Sequence, residues 1–161
     1  MAWNISTGFK KGLLGKTAPY GSFAELLADG VIRIYSGSRP ASADATETGT
    51  LLLTITKDGG AFTGGSATNG LNMGEFDGTT LKRSLDGGSP ETWKGTGLAD
   101  GTSGWCRFYA NDYTTGASTT AVRCDGIVSV SGGELNMSNG TTITTGVDSE
   151  VTDVSFTATA V

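Results

Sequence analysis

Sixteen carboxylates, two cysteines and no histidine set the chemical means of this 161-residue chain. Without imidazole there is no Ser-His-Asp or Cys-His pair, no histidine-ligated zinc and no side chain poised to move protons near neutral pH. Cys106 and Cys124 cannot hold zinc alone, because a structural site needs four ligands. Glycoside hydrolysis would need two carboxyls across a cleft. The candidates Asp44, Glu47, Asp58, Glu75, Asp77, Asp86 and Glu91 fall mostly in turn-forming stretches, where Asp is favoured for backbone reasons. There is no EF-hand loop for calcium. The SGSRP stretch at Ser36–Pro40 lacks the GxxxxGK[ST] of a phosphate cradle and opens no helix. Pro40 also biases Arg39 toward extended backbone. The expectation is therefore a non-enzyme with no catalytic, cofactor-binding or metal residues. Trp93, Trp105, Tyr109 and Tyr113 could form a sugar platform, or else Trp93 is core and the tyrosines pack at the surface.

The elements that would carry these groups are mainly strands. Gly 26 with Pro 3 and many Ser and Thr, spread between short β-branched runs, is an all-β pattern. The sequence predicts a β-sandwich, with a jelly roll as one form it could take, preceded by a short N-terminal arm and helix. Residues 1–30 form that arm and capped helix, and residues 31–161 the single sandwich domain. Phe9, Leu13 and Leu14 have helical spacing, weakened by Gly8, Gly12 and Gly15. Ser22 and Glu25 make a capping box ahead of Phe23, Leu26 and Leu27, and Gly30 suits the exit. Strands are expected at 31–35, 51–56, 71–73, 79–85, 91–96, 127–130, 134–137 and 141–145. A turn is expected at 98–104. A final strand alternates Val154, Phe156, Ala158 and Ala160 with polar residues. DGG, DGT, DGGS, SGG and SNG supply the turns. LNM occurs twice, at Leu71–Met73 and Leu135–Met137, and marks similar environments or a remnant duplication.

The cysteine segments, WCRFYANDY and TTAVRCDG, flank the turn-rich TTGAS. A hairpin centred on Thr115 sets Cys106 opposite Cys124 and Phe108 opposite Val122. One face is then Cys106, Phe108, Ala110, Val122 and Cys124, which is apolar. The other is Trp105, Arg107, Tyr109, Arg123 and Asp125, which is the wetter one. A reducing cytoplasm favours two buried free thiols over a bridge.

The net charge of -5 and pI near 4.6 argue against nucleic acid or an anionic membrane as partner. Residues 1–40 nevertheless carry +3 through Lys10, Lys11, Lys16, Arg33 and Arg39 against Glu25 and Asp29. This is either a chance fluctuation or a basic arm that docks on an acidic neighbour. No run is long enough to span a membrane, and MAWNISTGFKKGLLG lacks the charged start and apolar centre of a secretory signal. The polar stretch 36–49 is long for a connection between strands. It reads as a projecting loop, with Arg39 and Asp44, together with Lys10, Lys11 and Lys16, as assembly contacts.

Four segments carry a family resemblance: ISTGFKKGLLG, GVIRIYSGSRPASADATETGTLLLTIT, GGAFTGGSATNGLNM and ETWKGTGLADGTSGWCRFYAND. Together they resemble small virion structural proteins of tailed bacteriophages, over nearly the whole chain. The resemblance implies synthesis in the host cytoplasm and a place in the virion. It brings no catalytic residues. The role it implies first is a capsid decoration, or cement, protein bound to the major capsid protein as a homotrimer or other homo-oligomer. The alternative is a tail or fibre component that binds a host-surface glycan.

Overall fold

The computed structural model describes residues 3–15 and 19–157. It is all-β in class, with two short helices. In chain order the elements are β1 (Asn4–Ile5), α1 (Thr7–Leu14), α2 (Phe23–Leu26), β2 (Val31–Ser36), β3 (Leu51–Lys57), β4 (Met73–Phe76) and β5 (Thr80–Arg83). There follow β6 (Leu85–Asp86), β7 (Ser89–Pro90), β8 (Trp93–Thr96), β9 (Gly101–Tyr109), β10 (Arg123–Ser129) and β11 (Leu135–Met137). The last are β12 (Thr142–Ile143), β13 (Asp148–Val154) and β14 (Phe156–Thr157).

The pairings close a ring. β9 joins β2, β2 joins β3, β3 joins β8 and β8 joins β13. From β13 the ladder runs to β11, then in parallel to β10, and from β10 back to β9. The result is a barrel-like sheet, all-β as expected but not specifically a sandwich or jelly roll. Closure removes most of the exposed strand edges, where chains otherwise add to one another. β4, β5 and β14 form a small second sheet beside it.

Inside the ring lies one apolar cluster built from alternate residues of the strands. It includes Ile32, Ile34, Leu53, Ile55, Trp93, Cys106, Phe108, Cys124, Leu135, Met137 and Val151. Trp93 meets Phe108 edge to face, with centroids 5.8 Å apart. Leu52, expected on the opposite side of β3 from Leu53, is also in the cluster, because the β2–β3 register shifts at Ile34/Tyr35. It packs onto Gly101, where a Cβ would stand 2.9 Å from Leu52 Cδ2.

The hairpin of β9 and β10 is present with a register two residues from the expected one. Cys106 lies opposite Gly126 and Cys124 opposite Phe108. A shift by two leaves each side chain on its own face, so the apolar face is as expected and both cysteines are buried and free. The stretch Gly101–Gly104, expected as a turn, begins β9. The DGGS turn joins β6 to β7 through Gly87 and Gly88, both at positive φ (59° and 90°), as a tight hairpin demands.

From its first described residues the chain packs against the barrel. β1 pairs with β10, Asn4 opposite Asp125 and Ile5 opposite Cys124. Ser6 then caps α1, its Oγ accepting the Phe9 N–H at 3.0 Å and donating to Ala121 O at 2.8 Å. Phe9 is fully buried against Phe23 of α2. The capping box of α2 forms as expected, with Glu25 Oε2 accepting the Ser22 N–H at 2.7 Å and Ser22 Oγ accepting the Glu25 N–H. The expected last strand divides at Ser155, one part in the ring and the other in the small sheet. Ala158 and Ala160 lie outside the described residues.

Candidate interaction surface and a buried charge network

The face expected to be wet is the most buried charged region of the molecule. Trp105, Arg107, Tyr109, Arg123 and Asp125 are each at most 1% exposed. What covers them is the connection between β2 and β3, which lies flat along the outside of the barrel instead of projecting. Trp105 stacks on Tyr35 at 4.7 Å, and its Nε1 donates to Thr48 O. The two arginines grip the strap's backbone. Arg123 Nε donates to Ala43 O at 2.7 Å and Nη2 to Asp44 O at 3.1 Å. Arg107 Nη1 donates to Ala45 O at 2.9 Å.

The charges under the strap balance. Arg107 Nε and Nη2 donate to the two oxygens of Asp125 at 2.6 and 2.9 Å, a bidentate pair with both partners fully buried. Glu47, on the strap, takes Arg107 Nη1 at 2.9 Å and the Tyr109 hydroxyl at 2.7 Å on Oε1, and the Gly116 N–H on Oε2. Two cations thus face two carboxylates with nearly every donor and acceptor used, which is the condition for burying charge at all. Burial pushes the Asp125 carboxyl above its ordinary value, against the pull of Arg107. For Glu47 burial also acts upward, but the bonds from Tyr109 and Gly116 with Arg107 nearby outweigh it and hold the carboxyl low. Burial raises both cysteine thiols strongly, so neither is a ready nucleophile.

Arg39 and Asp44, expected to reach a neighbour, are engaged within the chain. Arg39 Nη1 donates to Asp125 O at 3.1 Å. The Asp44 carboxylate accepts the Thr7 N–H at 2.8 Å and the Thr7 hydroxyl at 2.6 Å, tying the strap to the start of α1. Hydrogen bonds from Thr7 and the nearby Arg123 and Lys10 overcome burial and lower its pKa. Lys10 and Lys11 are exposed on α1, beside Leu13 at 37% and Leu14 at 87% exposure. Lys16 lies outside the described residues. The structure therefore gathers Lys10 and Lys11 on one outward edge and places Arg39 and Asp44 in the strap.

Of the aromatics that could have made a sugar platform, Trp93, Trp105 and Tyr109 are buried, and Tyr113 is half-buried beneath Arg33. Among the described residues, no cluster of His, Cys, Asp or Glu is arranged to hold a metal ion. Comparison of the chain with protein-family models, with curated proteins and with solved structures finds no match.

Proposed function

We propose that this is a non-enzymatic structural protein of a virion, a capsid decoration protein that binds the major capsid protein and stabilises neighbouring subunits. The observation that carries the reading is the outward edge of α1. Lys10, Lys11, Leu13 and Leu14 point away from a barrel whose charges under the strap, Arg107, Asp125 and Glu47, are paired with one another. An edge joining lysines to bare leucines suits a contact with an acidic, partly apolar protein surface. The strap supports the same role in another way. It locks a long connection flat, so the domain meets its neighbours as a rigid body. The resemblance of the four sequence segments to small phage virion proteins supplies the class of assembly. In that setting the protein acts as a homotrimer or other homo-oligomer, present in many copies with a modest contact in each.

Gel densitometry of purified particles, with add-back of the protein to stripped capsids, tests this. The expectation is a copy number in the hundreds by the multivalency logic above and retention by capsids. Lys10→Glu with Lys11→Glu should abolish retention and leave the circular dichroism spectrum unchanged. A dozen copies or fewer, or full retention of the double variant, refutes the proposal.

A further inference from the structure

A groove of about 1010 Å³ runs between the start of the chain and the small sheet. Trp3, Ile5, Phe23, Phe76, Leu81 and Phe156 give it apolar walls. The rings are fixed by one another, with Trp3 stacked on Phe156 at 4.4 Å and Phe23 against Phe156 at 4.1 Å. Trp3 Nε1 donates to Ser155 O at 2.9 Å, which sets its ring in place.

Glu134 stands among these walls and is 4% exposed. Its Oε2 accepts the Ile127 N–H at 2.8 Å. Its Oε1 has no hydrogen-bond partner. Asp125 and Glu47, by contrast, have both oxygens answered. A buried carboxylate oxygen without a donor costs free energy that a cation brought to it would recover. Asp153 adds a second acid to the lining, and no lysine or arginine lines the groove among the described residues.

These features select the ligand chemistry. A purely apolar guest leaves Oε1 unanswered, and a small hydrated cation leaves the aromatic walls unused. An ammonium on a hydrocarbon stem satisfies both, with the stem along Trp3 and Phe156. Oε2 already holds the Ile127 N–H, so a guanidinium would have to share that oxygen to make its paired bonds, whereas an ammonium needs Oε1 alone. That favours lysine over arginine. β1 and β14 are end strands of their sheets, and their backbone can align an extended chain.

We propose that this groove is a docking site for an extended segment of a partner protein that inserts a lysine side chain beside Glu134. The proposal rests on the groove alone and stands apart from the virion assignment.

The test uses an acetylated, amidated pentapeptide, Ser-Val-Lys-Val-Ser, with counterparts bearing norleucine or arginine at the centre. Each is titrated into the full chain and followed by two-dimensional NMR of backbone and indole N–H groups. The lysine peptide should shift the Trp3 indole and the 131–136 amides, and bind about tenfold tighter than the norleucine peptide. The arginine peptide should fall between them. Glu134→Gln keeps an acceptor for Ile127 and should erase the lysine preference. Phe76→Ala, at the 66%-exposed lip, should weaken all three peptides alike. Equal binding of lysine and norleucine peptides, no binding of either, or a preference that survives Glu134→Gln overturns the proposal. So does butylammonium binding as tightly as the lysine peptide, which assigns the groove to free amines. Self-association lost in Glu134→Gln assigns it to a second copy and overturns the proposal too.

Discussion

Replacing Arg107 with Met should be among the most damaging single changes available outside the apolar core. The Arg107 side chain makes four hydrogen bonds, two to Asp125, one to Ala45 O and one to Glu47. Methionine fills much of the volume but answers none of them. Glu47 retains the Tyr109 hydroxyl and the Gly116 N–H. Asp125 is the larger loss, since it stays fully buried with both oxygens stripped of their donors. Breaking a buried pair by removing one partner costs roughly 3–5 kcal/mol. For a chain of this length that lowers the melting temperature by roughly 6–20 °C. The double variant Arg107→Met, Asp125→Leu removes both charges and leaves only the Ala45 carbonyl and one Glu47 bond wanting, a loss of about 1–2 kcal/mol. The two substitutions should therefore be strongly non-additive, with the double variant more stable than Arg107→Met alone. Urea denaturation of the four proteins in the cycle, with hydrogen exchange read at residues 42–48, gives both the energies and the loosening of the strap. A single-variant loss under about 1 kcal/mol, or simple additivity, would refute the view that this pair holds the strap to the barrel.

Two further outcomes follow from the same packing. Gly8→Ala should destabilise the protein by about 1–3 kcal/mol, because a Cβ there would stand 2.2 Å from Thr120 O and 2.5 Å from Ala121 O; an unchanged urea midpoint would mean that α1 is not seated on that backbone. Stability should also fall on acidification below the ordinary values of 4.5 for Glu47 and 3.8 for Asp44. Both carboxyls are depressed in the folded state, so their contribution is present above those values and is lost as pH falls through the folded pKa. Asp125, raised by burial, acts in the opposite sense and only softens the loss. Glu47→Gln should flatten the dependence of the urea midpoint between pH 5 and pH 3, a range that brackets those ordinary values.

Local chemistry made part of this fold legible. Gly87 and Gly88 announce a tight hairpin because positive φ is cheap only there, and Ser22 with Glu25 announces a helix start because both bonds close within one turn. The faces of the β9–β10 hairpin were legible even with the register misplaced, since a two-residue slip conserves sides. β13 was not legible. Its sequence, DSEVTDV, offers only Val151 and Val154 to the core and buries Ser149, so alternation is too weak to mark it. Glu134 carried no signal either, because the groove around it joins Trp3 to Phe156 from opposite ends of the chain. The covered face failed for a different reason. Alternation separates the two sides of a strand but does not say whether the second side meets water. A long connection with Ala41, Ala43 and Ala45, small enough to lie close, was the available clue.

The positive charge of residues 1–40 shows what kind of reading was missing. It treats lysine and arginine as one quantity, but the structure separates them. Arg33, Arg39, Arg83, Arg107 and Arg123 are all buried or half-buried, and the guanidinium groups of Arg39, Arg83, Arg107 and Arg123 donate to backbone carbonyls or carboxylates. Arg33 lies over Tyr113, 4.7 Å from the ring centroid. A planar fork that is weakly hydrated can be buried at acceptable cost, whereas an ammonium is held by its water. Two of the five cations in the apparent arm are thus spent on the barrel's outer face under or beside the strap. Of the remaining three, Lys10 and Lys11 stand outward and Lys16 lies outside the described residues. An assembly contact drawn from total charge would include Arg39; one drawn from the chemistry of each cation narrows to Lys10 and Lys11. Exchanging both for arginine should then preserve capsid retention, because charge is what these two positions add to the edge beside Leu13 and Leu14. Exchanging Arg107 for lysine should cost stability, because an ammonium cannot span Asp125, Ala45 and Glu47 at once.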